Sequence, residues 1–261
     1  MKNKVILISI DGMRSDGLLQ CGNPYLKTLE EICTYSYDSR SLFPTVTFPC
    51  HFSMTHSVTP QRHGILTNIY VPQVRPVQGI FERVRQFGGT TALFYNWDYL
   101  RDLATPGGYT ITYYSDIALD DRSDDVITDA CLTAIDKYHP DFVMLYMVDV
   151  DEKGGHDNGW MSEEYMRRVS IAIDNVKRVI EACGEEYSII ITADHGGHDR
   201  SHGEDIPEDM TIPVVIRGEG YADGRDLGEG VSIMDIAPTI ATLLGVAPDK
   251  DWIGKVLNPA L

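Results

Sequence analysis

"YSIIITADHGGHDRSHGED", Tyr187–Asp205, runs from an apolar segment straight into three histidines and four acidic residues set around three glycines. The segment Ser188–Thr192 carries three consecutive isoleucines, the pattern of a strand buried on both faces, as in a parallel sheet. Such a density of ionisable groups just past a strand has two readings, a solvated polar loop or a metal site. The rest of the chain has to decide between them.

Four further runs share the strand pattern: Val5–Ile10, Thr91–Tyr95, Phe142–Val148 and Ile212–Ile216. Helical periodicity falls between them, over residues 25–33, 79–87, 123–138, 162–184 and 232–244. The segment 162–184 is the clearest. Ser162 is placed to cap it, Glu163 and Glu164 fall in its first turn, and Met166, Val169, Ile173, Val176 and Ile180 make one apolar stripe before Gly184. Strands alternating with helices predict an α/β fold, a mainly parallel central sheet with helices on both faces. No repeat or linker-like stretch interrupts the pattern, so a single domain over residues 1–261 is expected.

Composition narrows the function. Of 261 residues, 43% are hydrophobic, enough for a sizeable core, and 39 acidic against 22 basic residues leave a formal charge of −17. That charge repels nucleic acid duplexes and anionic membrane surfaces, so neither is expected as a partner. Cys21, Cys33, Cys50, Cys131 and Cys183 are scattered, odd in number and without a Cys-x-x-Cys pair, which reads as reduced thiols. The apolar run near the N-terminus is too short to cross a bilayer and ends at Asp11-Gly12, not at a cleavage site. A cytoplasmic location is expected.

Open α/β sheets bind ligands beyond the carboxyl ends of their strands. Three strands here end in ionisable residues: Asp11 after the first, "VDVDEKGGH" after Phe142–Val148, and Asp194-His195 after Ser188–Thr192. Taken singly, Asp11 suits an Asp-Gly turn, while Asp151, Glu152 and His156 suit a solvated loop. Their joint arrival at strand ends favours a metal cluster, and mixed imidazole and carboxylate donors suit zinc. His198 and Asp199 read as solvent-facing loop residues. In "LFPTVTFPCHFSM", Pro49 suits the first turn of a helix and puts the Thr47 hydroxyl at its N-terminus, where it either caps the helix or acts as a nucleophile.

At this point the blocks "ISIDGMRSD", "PTVTFPCHFSM", "RHGILTN", "DEKGGH", "TADHGGH" and "HGEDIPEDMTIPVVIRG", followed by "IMDIAPTIATLLG", resemble in order those of the alkaline phosphatase superfamily. More narrowly, they resemble the nucleotide pyrophosphatase/phosphodiesterase family. The resemblance implies an alkaline-phosphatase-like fold and two divalent ions, zinc before manganese. It implies Asp11, Thr47, Asp194 and His195 around one ion, and Asp151, His156 and His202 around the other. Thr47 is implied as the nucleophile because it directly precedes Phe-Pro. Asn68 and the Phe48 N–H are implied to hold a phosphoryl oxygen. The family spaces its Asp and His as Asp-x-x-Gly-His, and Asp151 to His156 has one residue more. Glu152 has the family spacing and Asp149 is near, so three acids compete for one role.

The expected activity is phosphoric ester hydrolysis on a small-molecule phosphoester, through a covalent phospho-threonine. A sulfatase would need Cys/Ser-x-Pro-x-Arg, and Cys50 is followed by His51, Phe52 and Ser53. A phosphonate hydrolase or phosphomonoesterase of the same superfamily remains open, as does a metal-stabilised binding module without turnover. Residues 96–122, with Trp97, Tyr99, Arg101 and "TYYSD", either border the pocket or form an ordinary surface connection.

Overall fold

The computed structural model describes residues 3–221 and 224–258, so Met1 and Lys2 of the first predicted strand's basic start lie outside it. Its centre is a sheet of seven strands: β1 Lys4–Ile10, β2 Thr34–Arg40, β3 Thr91–Tyr95, β4 Ile111–Tyr114, β5 Phe142–Met147, β6 Tyr187–Thr192 and β7 Thr211–Arg217. They lie in the order β2-β7-β6-β1-β5-β3-β4. Only β7 runs against its neighbours, so the sheet is mainly parallel, as expected.

The predicted strands match β1, β3, β5, β6 and β7 to within a residue at each end. β5 and β6 are buried along their whole length, and β1 beyond its first residue. The two strands that the apolar pattern missed are the edges. β2, "TYSYDSR", interleaves buried serines with exposed polar residues, and β4, "ITYY", lies mostly in solvent. An edge strand needs no continuous apolar run because one of its sides meets water. β4 also puts regular structure into the 96–122 connection, together with short 3₁₀ turns at Asp98–Leu103 and Ile117–Leu119.

Helices pack in two groups. Glu163–Cys183 packs on Ser123–Tyr138 and Tyr25–Ile32, whereas Ile236–Leu244 packs on Thr47–His56 and Ile80–Gln86. β3 touches one helix of each group, which covers both of its faces. Glu163–Cys183 begins where the Ser162 side chain accepts the Tyr165 N–H at 3.2 Å, and it ends at Gly184, whose φ of +54° suits glycine. Val169, Ala172, Ile173, Val176, Val179 and Ile180 form its buried face. Each of the larger side chains contributes about 1.5–3 kcal/mol on burial. All five cysteines are free. Among the described residues no helix is long and apolar enough to cross a membrane.

Three adjacent parallel strands, β6, β1 and β5, position the site. Their register pairs Ser9 with both Thr192 and Tyr146, and Ile10 with Met147. The chain therefore leaves all three at the same edge of the sheet, carrying Asp194, Asp11 and Asp151 together.

Candidate active site

Asp11, Asp151, Asp194 and His195 are buried where those strands end, and His202 turns back over them from the loop after β6. Two groups of donors lie close enough to share an ion: Asp11, Asp194 and His195, and Asp151, His195 and His202. His195 belongs to both. Its Nε2 lies 3.4 Å from Asp11 Oδ1 and 3.3 Å from Asp194 Oδ2. His156 stands outside both tight groups at the half-buried rim, with Nε2 3.5 Å from Asp151 Oδ2.

The imidazoles are aimed by backbone carbonyls. Nδ1 of His195 lies 2.7 Å from the Gly196 carbonyl, that of His202 2.7 Å from Thr45, and that of His156 3.0 Å from Arg200. A carbonyl only accepts, so each Nδ1 carries the proton and each Nε2 presents a lone pair inward. Those lone pairs face carboxylates. Among the described residues, Asp11 Oδ1, Asp151 Oδ1 and Asp194 Oδ2 are buried and find no hydrogen-bond partner. Carboxylate oxygens converging with no donor between them are costly unless a cation sits there, so this donor set fits divalent ions.

Electrostatics agree. Burial, followed by Asp194 and Asp151, pushes the Asp11 carboxyl well above its usual range, although the Tyr146 hydroxyl pulls the other way. Burial and Asp194 do the same to Asp151. Burial would also raise Asp194, but His195 and His51 beside it bring it below its usual range. Burial, then His195, lowers His202 to about 3, and burial lowers His195 as well. Neutral imidazoles beside carboxylates that resist ionising together are the state a cation completes.

Geometry sets Asp149, Asp151 and Glu152 apart. Val150–His156 is a π-turn, closed by the Asp157 N–H on the Glu152 carbonyl five residues back. A π-turn brings positions five apart onto one face, so it absorbs the additional residue between Asp151 and His156. Asp151 faces the cluster, Glu152 is exposed, and Asp149 points to Ser123 and Lys153.

Thr47 is the first residue of the buried helix Thr47–His56, whose cap position is Val46, so Thr47 is not the cap. Its Oγ1 lies 3.2 Å from His195 Nε2. Thr45 faces elsewhere, donating to the Glu204 carbonyl at 2.9 Å. Asn68 reaches the same helix end, and its Oδ1 accepts the Phe48 N–H at 3.0 Å. The two predicted phosphoryl-oxygen donors are thus bonded to each other, which leaves the Asn68 amide NH₂ as the donor toward a ligand. The 3₁₀ turn Asp98–Leu103 packs on this helix.

His198 corrects the solvent-facing expectation: its Nδ1 lies 2.7 Å from Asp209 Oδ1, bracing the loop, whereas Asp199 is exposed. Sequence reading missed a supporting layer. Tyr146 donates its hydroxyl to Asp11 Oδ2. His51 Nδ1 lies 2.8 Å from the Thr47 carbonyl and 3.3 Å from Asp194 Oδ2. Trp160 Nε1 and the Tyr165 hydroxyl both donate to the Gly12 carbonyl, at 2.9 and 3.0 Å. Only the position of His51, one helical turn after Thr47, offered a signal for any of these.

Over 140 residues the chain is 30% identical to the 2,3-bisphosphoglycerate-independent phosphoglycerate mutase of Haloquadratum walsbyi, covering 52% of this chain and 27% of that protein. Over 224 residues it is 26% identical to mouse ectonucleotide pyrophosphatase/phosphodiesterase family member 1, covering 73% of this chain and 24% of that one. The chain therefore spans about a quarter of the length of these relatives. A solved structure of murine ectonucleotide pyrophosphatase/phosphodiesterase 5, an inactive threonine-to-alanine form in complex with AMP, superposes with a TM-score of 0.79 at 13% identity, covering 94% of this chain and 96% of that one. Residues 5–209 match the family model described as type I phosphodiesterase/nucleotide pyrophosphatase. With the match spanning most of its length, the chain belongs to the type I phosphodiesterase/nucleotide pyrophosphatase family.

Proposed function

We propose that the chain is a metal-dependent hydrolase of phosphoric diesters or pyrophosphate bonds that works through a phospho-threonine on Thr47. The observation that carries this reading is the placement of Thr47 Oγ1 against His195, the one side chain shared by both donor groups. Asp11, Asp194 and His195 would hold one ion, with Asp151, His202 and the rim residue His156 holding the other. Two divalent ions held there, zinc before manganese for this donor set, would supply the positive charge that favours a Thr47 alkoxide and a departing oxyanion. Thr47 Oγ1 gives up its proton to solvent and forms the bond to phosphorus. The bond to the leaving oxygen breaks, and that oxygen takes the electron pair. Asn68 holds an equatorial phosphoryl oxygen through its amide NH₂, and the Phe48 N–H is released to a second donor role when ligand enters. Water then forms a bond to phosphorus and gives up a proton, the phosphorus–Oγ1 bond breaks, and the Thr47 oxygen takes the electron pair and a proton as the phosphorylated product leaves.

The murine neighbour in complex with AMP supports a nucleotide-sized phosphoester as substrate. The likeness to a phosphoglycerate mutase supports a second reading, action on phosphomonoesters. Comparing kcat/KM for bis-nitrophenyl phosphate and a dinucleotide pyrophosphate with that for nitrophenyl phosphate separates the two. A higher value for the diester substrates is expected, and a large monoester preference would overturn the diester assignment.

A further inference from the structure

Behind Asp151 lies a second buried cluster that the proposed chemistry does not use. Asp124, near the start of the helix Ser123–Tyr138, is 1% exposed. Its Oδ1 accepts the backbone N–H groups of Val148 at 3.0 Å and Asp149 at 3.3 Å, together with Asn96 Nδ2 at 2.8 Å. Those two amides sit where β5 ends and the π-turn begins. Asp149 in turn accepts from Ser123 Oγ at 2.6 Å and pairs with Lys153 Nζ at 2.9 Å, with an Arg168 nitrogen 3.8 Å away. Lys153 also donates to the carbonyls of Asp120 and Asp121, and Arg168 is fixed by Asp121 and Glu164.

The π-turn is therefore tied down at its entry by Asp124 and inside by Lys153, with the anchors drawn from two long helices. Two buried carboxylates are an expensive way to fill space, because apolar side chains would pack there without a desolvation penalty. Isolated π-turns are rare and need external support. What this turn accomplishes is to bring Asp151 and His156, five residues apart, within 3.5 Å.

We infer that Asp124, acting through the Val148 and Asp149 amides, is a positioning residue that holds the π-turn in register and so sets the affinity of the Asp151–His156–His202 ion site without touching the ion. The inference rests on the two-ion reading above. Outer residues that orient metal ligands typically change affinity by about 10–100-fold when lost.

The test is calorimetric titration of Zn²⁺ into chelator-stripped protein. Wild type should show two binding events. Asp124→Ala should weaken one of them about 10–100-fold and leave the other within about threefold, whereas Asp124→Asn, which keeps the Oδ1 acceptor, should restore near-wild-type binding. Ser123→Ala removes the donor to Asp149 and an acceptor for Asn96 but keeps the Asp124 carboxyl, so it remains informative if Asp124→Ala does not fold. It should weaken the same event by about threefold or more. Two unchanged events in Asp124→Ala or in Ser123→Ala, equal weakening of both, or an Asn variant as damaged as the Ala variant would each overturn the positioning role. Wild-type protein that takes up no zinc would instead remove the two-ion reading itself.

Discussion

The rings of His195 and His202 stack face to face, with centroids 3.9 Å apart and planes 18° from parallel. Each ring spends its Nδ1 proton on a backbone carbonyl, so neither can take a second proton without placing a cation on its neighbour. The pair is kept neutral with two lone pairs held side by side over Asp11, Asp194 and Asp151. On the proposed reading, the stacked pair forms the wall between the two ion sites.

Protein purified without chelator should accordingly carry close to two transition-metal ions per chain, measured by elemental analysis. His202→Ala should lose chiefly one of them, because Asp11, Asp194 and His195 remain. Absence of metal from wild type, with activity indifferent to chelation, would rule out the metal assignment.

Removing the Thr47 hydroxyl would delete the proposed covalent route while leaving the aspartates and histidines in place. Thr47→Ala should fold, retain most of its metal and lose about a hundredfold to ten-thousandfold in kcat. Thr47→Ser should keep part of the activity. Thr45→Ala is the control, since that hydroxyl serves the Glu204 carbonyl, and its effect should be smaller. If Thr45→Ala abolishes turnover while Thr47→Ala spares it, the nucleophile is misplaced by two residues.

Gly12 turns the chain away from Asp11 with φ +66°, and an added Cβ would lie 2.6 Å from Asp151 Oδ1 and 2.9 Å from Asp151 Cβ. Gly12→Ala should cost about 1–3 kcal/mol from the backbone conformation alone. It should also displace Asp151 and weaken metal uptake. Urea unfolding and metal titration read the two effects separately, and wild-type values in both would contradict this packing.

Burial and the nearby Asp149 raise the Asp124 carboxyl from its ordinary 3.8 to about 8. A carboxyl held neutral in the folded chain but ionised in the unfolded one contributes stability in full below about pH 4. That contribution declines as pH rises, until the folded-state group ionises near pH 8. Asp124→Asn cannot ionise. In metal-free protein, the variant should therefore gain stability relative to wild type as pH rises from about 4 to 8. A difference in unfolding free energy that stays flat across this window would show that Asp124 is ionised in the folded state.

The central strands were legible from sequence because a strand buried on both faces must be apolar throughout. β1, β3, β5, β6 and β7 announce themselves in that way, and the chemistry that begins at Asp11, Asp151 and Asp194 marks where they stop. The edge strands β2 and β4 were not legible, because a strand open to solvent on one side carries no such run. Within the site, residue types and strand ends pointed to the donors, but spacing alone could not choose among Asp149, Asp151 and Glu152. That choice depends on a π-turn held by Asp124 and Lys153, contacts made across the fold that no local pattern encodes. The same holds for His195 lying between both donor groups, for His156 at the rim, and for Tyr146 and His51 beneath Asp11 and Asp194. Periodicity records which face of an element is buried, whereas the approach of one side chain to another far away in sequence is decided only when the sheet and its two helical layers close around it.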